Sequence, residues 1–256
     1  MLVRALDRFS VAGRVALVTG GNRGLGKAMA RGLAEAGADV VIAARDEEAL
    51  AAALPEILVG TGGRGGYVVA DFNDRSAADV VAERALEQFG RIDIVVSNAG
   101  ANEPEAIGAI TDENWDMVHT VHLYTAMALT RALSPGMRER GWGRFVYVSS
   151  GLGYKGMERR SAYTSVKSAL MGLARSAAID LGPFGITVNC IAPGAFRTNA
   201  LRHLTEAQRA QFEQVGALQR AADPDELVGP LLLLVSDAGS YISGSTLLVD
   251  GGWLIA

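Results

Sequence analysis

One cysteine in 256 residues leaves no possibility of an internal disulfide, so a secreted disulfide scaffold is excluded. That cysteine, Cys190, lies in an apolar run at 186–192 and reads as a reduced core thiol rather than a nucleophile. Histidine is almost as scarce. His119, His122 and His203 have no cysteine or carboxylate at ligand spacing, so no metal site is expected. There is no run of basic residues and the net charge is -4, which argues against nucleic acid as the main partner. The longest purely apolar stretches, such as 231–235, are far too short to span a bilayer. Asp7 and Arg8 stand where a signal peptide needs an apolar stretch, so the expected location is the cytoplasm. Linkers, repeats and low-complexity tracts are absent, and the glycine-dense stretch 60–66 reads as a surface turn. What is present is an apolar fraction of 49% against 20% charged, enough to build the core of one domain over 1–256.

Short β-branched runs alternate with longer helical patterns. Segments 15–19, 40–43, 67–70, 92–97, 144–149, 187–192 and 246–249 are apolar on successive residues, as strands buried on both faces require. Helical patterns cover 24–36, 47–57, 77–89, 113–133, 162–181 and 224–236. Asp223 before Pro224 is a helix-start signal, and Thr111 is a candidate cap for the 113–133 helix. Strand and helix repeated in this way give an α/β fold: one doubly wound Rossmann-type parallel sheet of about seven strands with helices on both faces.

The first strand runs into a glycine-rich turn, T-G-G-N-R-G-L-G, and then a helix. Gly20, Gly24 and Gly26 let the backbone turn sharply and approach a pyrophosphate at the positive end of that helix. The spacing G-x-x-x-G-x-G differs from the standard dinucleotide fingerprint. The second strand ends A-A-R-D. A carboxylate at its tip would bond a ribose 2′-hydroxyl, whereas Ala44 and then Arg45 stand here. A guanidinium binds a 2′-phosphate instead, and Arg23 in the glycine turn can approach the same group. NADP(H) is therefore favoured, and NAD(H) stays open because Asp46 follows directly.

Tyr163 and Lys167 stand one helical turn apart, with Ser150 thirteen positions before the tyrosine. With these motifs the chain resembles the short-chain dehydrogenase/reductase family from about Phe9 to its C-terminus. The flavour is that of 3-oxoacyl-carrier-protein reductases, gluconate 5-dehydrogenases and tropinone reductases. G-R-F-V-Y-V-S-S ends at Ser150, Y-T-S-V-K holds Tyr163 and Lys167, and S-N-A-G at 97–100 is similar to the family's N-N-A-G. I-A-P-G-A-F-R-T resembles the segment flanking the nicotinamide, and V-D-G-G-W the closing strand. The resemblance implies cofactor contacts from Gly20, Asn22, Arg23, Gly24, Leu25, Gly26, Arg45, Asp71, Phe72, Asn98, Ala99, Gly100, Tyr163, Lys167, Pro193, Gly194, Phe196 and Thr198. It further implies a homotetramer or homodimer acting on a small carbonyl or alcohol substrate.

Reducing a ketone needs a hydride and a proton for the oxygen that becomes an alkoxide. Tyr163 is the expected general acid/base, yet an unperturbed phenol titrates near ~10. A positive charge ~4 Å away at an effective dielectric of ~20 contributes about 4 kcal/mol, so Lys167 is expected to lower the phenol's pKa. Ser150 is expected to polarise the carbonyl. The family places an asparagine where this chain has His122, between Val121 and Leu123. There the asparagine interrupts a helix and its backbone carbonyl joins a proton relay. His122 is thus a candidate catalytic residue that titrates near neutrality, or a helix histidine that only packs.

The substrate pocket is expected along 102–105, 151–157 and 195–212, with Leu152, Tyr154 and Met157 making it partly apolar and Trp253 near the mouth. The segment after Thr198 reads as a helical lid. Arg159 and Arg160 read as a solvated pair or as an attractor for an anionic substrate. Other functions on the same scaffold stay open: an NAD-dependent sugar or polyol dehydrogenase, an isomerase or lyase, or a cofactor-binding regulator. Enoyl reduction is disfavoured, because those relatives space tyrosine and lysine more widely.

Overall fold

The computed structural model describes residues 4–101, 103–198, 205 and 216–256. All seven expected strands form: β1 (Val15–Thr19), β2 (Asp39–Ala44), β3 (Gly65–Val69), β4 (Ile94–Ser97), β5 (Gly143–Val148), β6 (Ile186–Pro193) and β7 (Thr246–Val249). They make one sheet in the order β3-β2-β1-β4-β5-β6-β7, and every neighbouring pair is parallel. Register follows from the connections; Val18, for instance, pairs Ile42 on one side and Val96 on the other.

The helices are α1 (Gly24–Glu35), α2 (Glu47–Leu58), α3 (Ala77–Phe89), α4 (Asp112–His119), α5 (Thr125–Arg140), α6 (Ser161–Leu181) and α7 (Val228–Val235). They form two layers, because successive residues of each strand face opposite sides. Leu17, Val95, Phe145 and Val188 pack with α3, α5 and α6. Ala16, Val18, Ile94, Val146 and Ile191 pack with α1, α2 and α7. Tyr147 and Phe145 are fully buried in the first layer, and the Tyr147 hydroxyl is satisfied by Thr130 at 2.7 Å.

The expected helix starts hold. The Thr111 hydroxyl accepts from the Asn114 amide at 3.2 Å, and Pro224 opens a 3-10 turn (Pro224–Leu227) ahead of α7. One element differs. The single helix expected over 113–133 is broken into α4 and α5 by a π-helical turn at Thr120–Tyr124. One residue more per turn rotates the following side chains, and the sequence periodicity does not betray it. The expected lid, 200–212, lies outside the described residues apart from Thr205, as does Asn102.

Candidate active site

The strand order reverses between β1 and β4, which opens a crevice at the carboxyl ends of the strands. The glycine turn sits at that point. Gly20 and Gly24 have φ of 66° and 54°, which favours glycine. A Cβ on Gly26 would overlap the Gly20 carbonyl, and one on Gly20 would lie 2.9 Å from Asn98 Nδ2. Asn98 locks this corner by donating to the Thr19 carbonyl at 2.9 Å, while the Asn98 and Ala99 amides both donate to Thr19 Oγ1 at 2.9 Å. Arg23 stands at the N-cap of α1 and its side chain makes no capping bond. The turn therefore has the form of a phosphate cradle: a bare helix start lined by glycine.

At the adenine end, Arg45 is exposed just beyond β2 and Arg23 is exposed in the glycine turn. Asp46 is occupied. Its carboxylate caps α2, accepting from the Ala49 amide at 3.0 Å. Asp71 is exposed beyond β3 and accepts from the Asn73 amide at 3.1 Å. The Phe72 and Phe196 side chains are buried at 5% exposure in the two apolar layers, so only their backbone can face a ligand. Pro193 ends β6, Gly194 abuts Asp250, and Thr198 lies over Gly24, where a Cβ would sit 3.7 Å from its methyl group. Asn22, Leu25 and Gly100 line the same crevice segments by position in the chain.

Ser150, Tyr163 and Lys167 converge at the end of β5. Ser150 follows the strand in extended conformation and caps a 3-10 turn, its hydroxyl oxygen accepting from the Leu152 amide at 3.1 Å. The same hydroxyl hydrogen-bonds the Tyr163 phenol. Tyr163 and Lys167 project from one face of α6, with Lys167 Nζ 5.2 Å from the centroid of the tyrosine ring. The lysine is 3% exposed and donates to the Val148 carbonyl at 2.7 Å. Ser149 steadies α6 by donating to the Lys167 carbonyl at 2.8 Å.

The electrostatics differ from the expectation that Lys167 lowers the phenol. Burial pushes Tyr163 above the usual phenol value, outweighing the hydrogen bond from Ser150 and the charge of Arg160. Burial also depresses Lys167, to about 7, so the ammonium is itself under strain from desolvation. His122 is corrected as well. It is 5% exposed, and burial first and Lys167 second hold its imidazole well below the ordinary value. Burial and the neighbouring Lys167 thus both oppose the near-neutral titration expected of His122.

Around the mouth, Tyr154 and Met157 are exposed, whereas Leu152 is buried. Trp253 is 9% exposed and packs on Gly151, and Lys155 Nζ lies 4.2 Å over its ring. The Arg159–Arg160 pair is more than solvated charge. Arg159 has φ 60° and donates to the Pro104 carbonyl at 3.3 Å, and Arg160 forms a bridge with Glu105. Sequence reasoning missed these backbone partners, and nothing in residue identity signals them. Among the described residues no His/Cys/Asp/Glu cluster could hold a metal, and no helix is long and apolar enough to cross a membrane.

A family model described as enoyl-(acyl carrier protein) reductase matches residues 20–254. The chain is 35% identical to the 2-dehydro-3-deoxy-D-gluconate 5-dehydrogenase of Dickeya dadantii, over 97% of this chain and 98% of that one. It superposes with a TM-score of 0.92 on a putative NAD(P)-dependent gluconate 5-dehydrogenase from Beutenbergia cavernae with bound NADP, at 37% identity and covering 97% and 100% of the two chains. A 3-oxoacyl (acyl-carrier-protein) reductase from Agrobacterium tumefaciens with NADP bound gives a TM-score of 0.92 at 31% identity, covering 98% of each chain. The chain belongs to the short-chain dehydrogenase/reductase family, oxidoreductases acting on CH–OH and C=O groups.

Proposed function

We propose that the protein is an NADP(H)-dependent reductase of a ketone or aldehyde, with Ser150, Tyr163 and Lys167 as its catalytic residues. The observation that carries this reading is their convergence at the end of β5, beside a glycine cradle at the sheet's switch point. The cofactor, when bound, supplies the hydride that goes to the carbonyl carbon. The cradle fits its pyrophosphate: Gly20, Gly24 and Gly26 admit the backbone, and the start of α1 offers its amides. Arg23 and Arg45 supply the charge that a 2′-phosphate needs. With Asp46 committed to capping α2, the nearest carboxylate is withdrawn from a ribose hydroxyl.

Ser150 holds the carbonyl oxygen by donating its hydroxyl proton in a hydrogen bond. As the carbonyl carbon accepts hydride, the oxygen takes the proton of the Tyr163 phenol and becomes the alcohol oxygen. Burial keeps that phenol protonated throughout the neutral range, the state a proton donor requires. Lys167, when protonated, stabilises the phenolate left behind. The resting site is thus poised as an acid, which favours reduction over oxidation.

The test follows the absorbance of NADPH and of NADH in parallel, against aldehydes, hydroxyketones and 3-oxo thioesters, with polyols tried in reverse. Turnover of a carbonyl with NADPH is expected to exceed that with NADH. Oxidation of polyols with NAD alone, or cofactor binding with no turnover, would overturn the reading. We further propose that the protein works as a homotetramer or homodimer in the cytoplasm; the exposed Leu248 on the edge strand β7 and Tyr241 just before it support an assembly.

A further inference from the structure

His122 has more polar contacts than a packed histidine needs. It lies on the π-helical turn and wedges between the end of β4 and helix α6. Nε2 lies 2.8 Å from the Ala101 carbonyl oxygen and 3.2 Å from the Ala101 amide, whose N–H points at it. Nδ1 lies 3.0 Å from Lys167 Nζ, and the ring meets Tyr163 edge-on at 5.6 Å. A Cβ on Gly100 would come within 2.6 Å of the imidazole Cε1, so a residue with no side chain is what admits the ring at this depth.

While Lys167 is an ammonium, one tautomer is selected. An ammonium only donates, so Nδ1 accepts from Lys167. The single proton of a neutral imidazole then sits on Nε2 and is donated to the Ala101 carbonyl, the shorter of the two Ala101 contacts, in place of a bond from the Ala101 amide. Lys167 spends a second N–H on the Val148 carbonyl. Of its three N–H bonds one is left, and Nζ lies 5.2 Å from the centroid of the Tyr163 ring. The titratable groups facing the pair are Tyr163 from α6, Cys190 from β6 and His119 from the preceding turn, with Arg160 acting on Tyr163. Burial pushes the Cys190 thiol up to about 12 and raises the phenol, so neither is an anion at neutral pH. The ammonium therefore leans on neutral acceptors, of which His122 is one.

We propose that His122 is a positioning residue for Lys167: fixed on Ala101 as the neutral Nε2–H imidazole, it presents Nδ1 as a rigid acceptor that aims the remaining N–H of the lysine at Tyr163 and the cofactor side. It does not shuttle protons, because its far nitrogen ends on backbone groups of Ala101 rather than on a proton acceptor. The tautomer part stands on geometry alone; the consequence for turnover rests on the roles proposed above for Tyr163 and Lys167.

The chain has 3 histidines, so nitrogen-15 histidine spectra of the whole protein can be assigned with His122→Asn. The expected result is an imidazole that stays in the neutral Nε2–H form from about pH 5.5 to about 7, where Lys167 is an ammonium, with its Nδ1 signal displaced in Lys167→Met. Titration within that range, the opposite tautomer, or indifference to Lys167→Met would overturn the proposal. These spectra need no turnover, so they judge His122 even if the proposed reaction fails. On the active protein, His122→Phe is expected to move the alkaline limb of kcat/KM to lower pH and cost roughly tenfold near pH 7.5, since a hydrogen bond to a charged group is lost. His122→Asn, which keeps an acceptor, should recover part of that. A uniform loss at every pH, with the limb unmoved, would mean that the residue only packs.

Discussion

At the residue scale the site is governed by a contest between charge and burial. One turn of helix brings an ammonium beside a phenol, and in water that would acidify the phenol. Inside the fold both groups are desolvated, and burial raises Tyr163 while depressing Lys167 to about 7. Two outcomes follow. Reduction needs the neutral phenol and the protonated lysine together, so kcat/KM is expected to fall as pH rises through about 7, read from pH–rate profiles with the proposed carbonyl substrates. Stability should show the opposite trend. A lysine near 7 when folded and 10.5 when unfolded binds more protons in the unfolded chain between those values, so its penalty is full below about 7 and relieved as pH rises. Lys167→Met should therefore melt above the parent at pH 6, with the gap narrowing by pH 9, in thermal melts across that range.

The candidate site residues were legible where chemistry needs a spacing. Ser150, Tyr163 and Lys167 stand out because a helical turn and a strand end set their separations. Their ionisation was not legible, because it depends on what covers them. The same holds for cofactor choice. Arg45 can be read from the chain, but the sequence leaves open whether Asp46 faces a ribose or caps α2, and the structure shows the cap. Arg45→Asp is expected to shift the NADPH/NADH ratio of kcat/KM toward NADH by about tenfold or more, since a charge-assisted contact becomes a repulsion. Tyr163→Phe removes the proton donor and is expected to lower kcat by about a hundredfold or more in the same assay.

At the scale of elements, the starts and stops of helices were largely written locally. Thr111 caps α4 and Asp46 caps α2, each through its own side chain. Asp46→Ala is expected to cost about 1 kcal/mol in denaturant melts while leaving the NADPH preference in place. The π turn was not legible. The apolar stripe over 113–133 has ordinary helical spacing, and nothing local asks for an extra residue per turn. That turn carries His122 inward, where it meets Ala101 and Lys167. Gly26→Ala addresses the other element at the site. The new methyl group would overlap the Gly20 carbonyl, so NADPH binding should be lost in calorimetry while the fold survives in circular dichroism.

At the scale of the molecule, parallel strands force crossovers, and crossovers place helices on both faces of the sheet. Continuous apolar runs at the strands announced burial on both sides; β1, β2, β4, β5 and β6 bear that out, whereas the edge strands β3 and β7 are only partly buried. Strand β7 closes one edge of the sheet and is only partly covered, with Leu248 exposed on it and Tyr241 exposed in the segment that precedes it. If this edge is an assembly surface, light scattering should report an oligomer, and Tyr241→Glu with Leu248→Glu should shift it toward smaller species. By itself the sequence determined the architecture, the glycine cradle and the identity of the Ser150, Tyr163 and Lys167 group, because periodicity, backbone freedom and helical spacing are local properties. The tertiary structure alone decided protonation and the meeting of His122 with Lys167. Those depend on burial and on contacts between segments tens of residues apart, for which a linear chain carries no local signal.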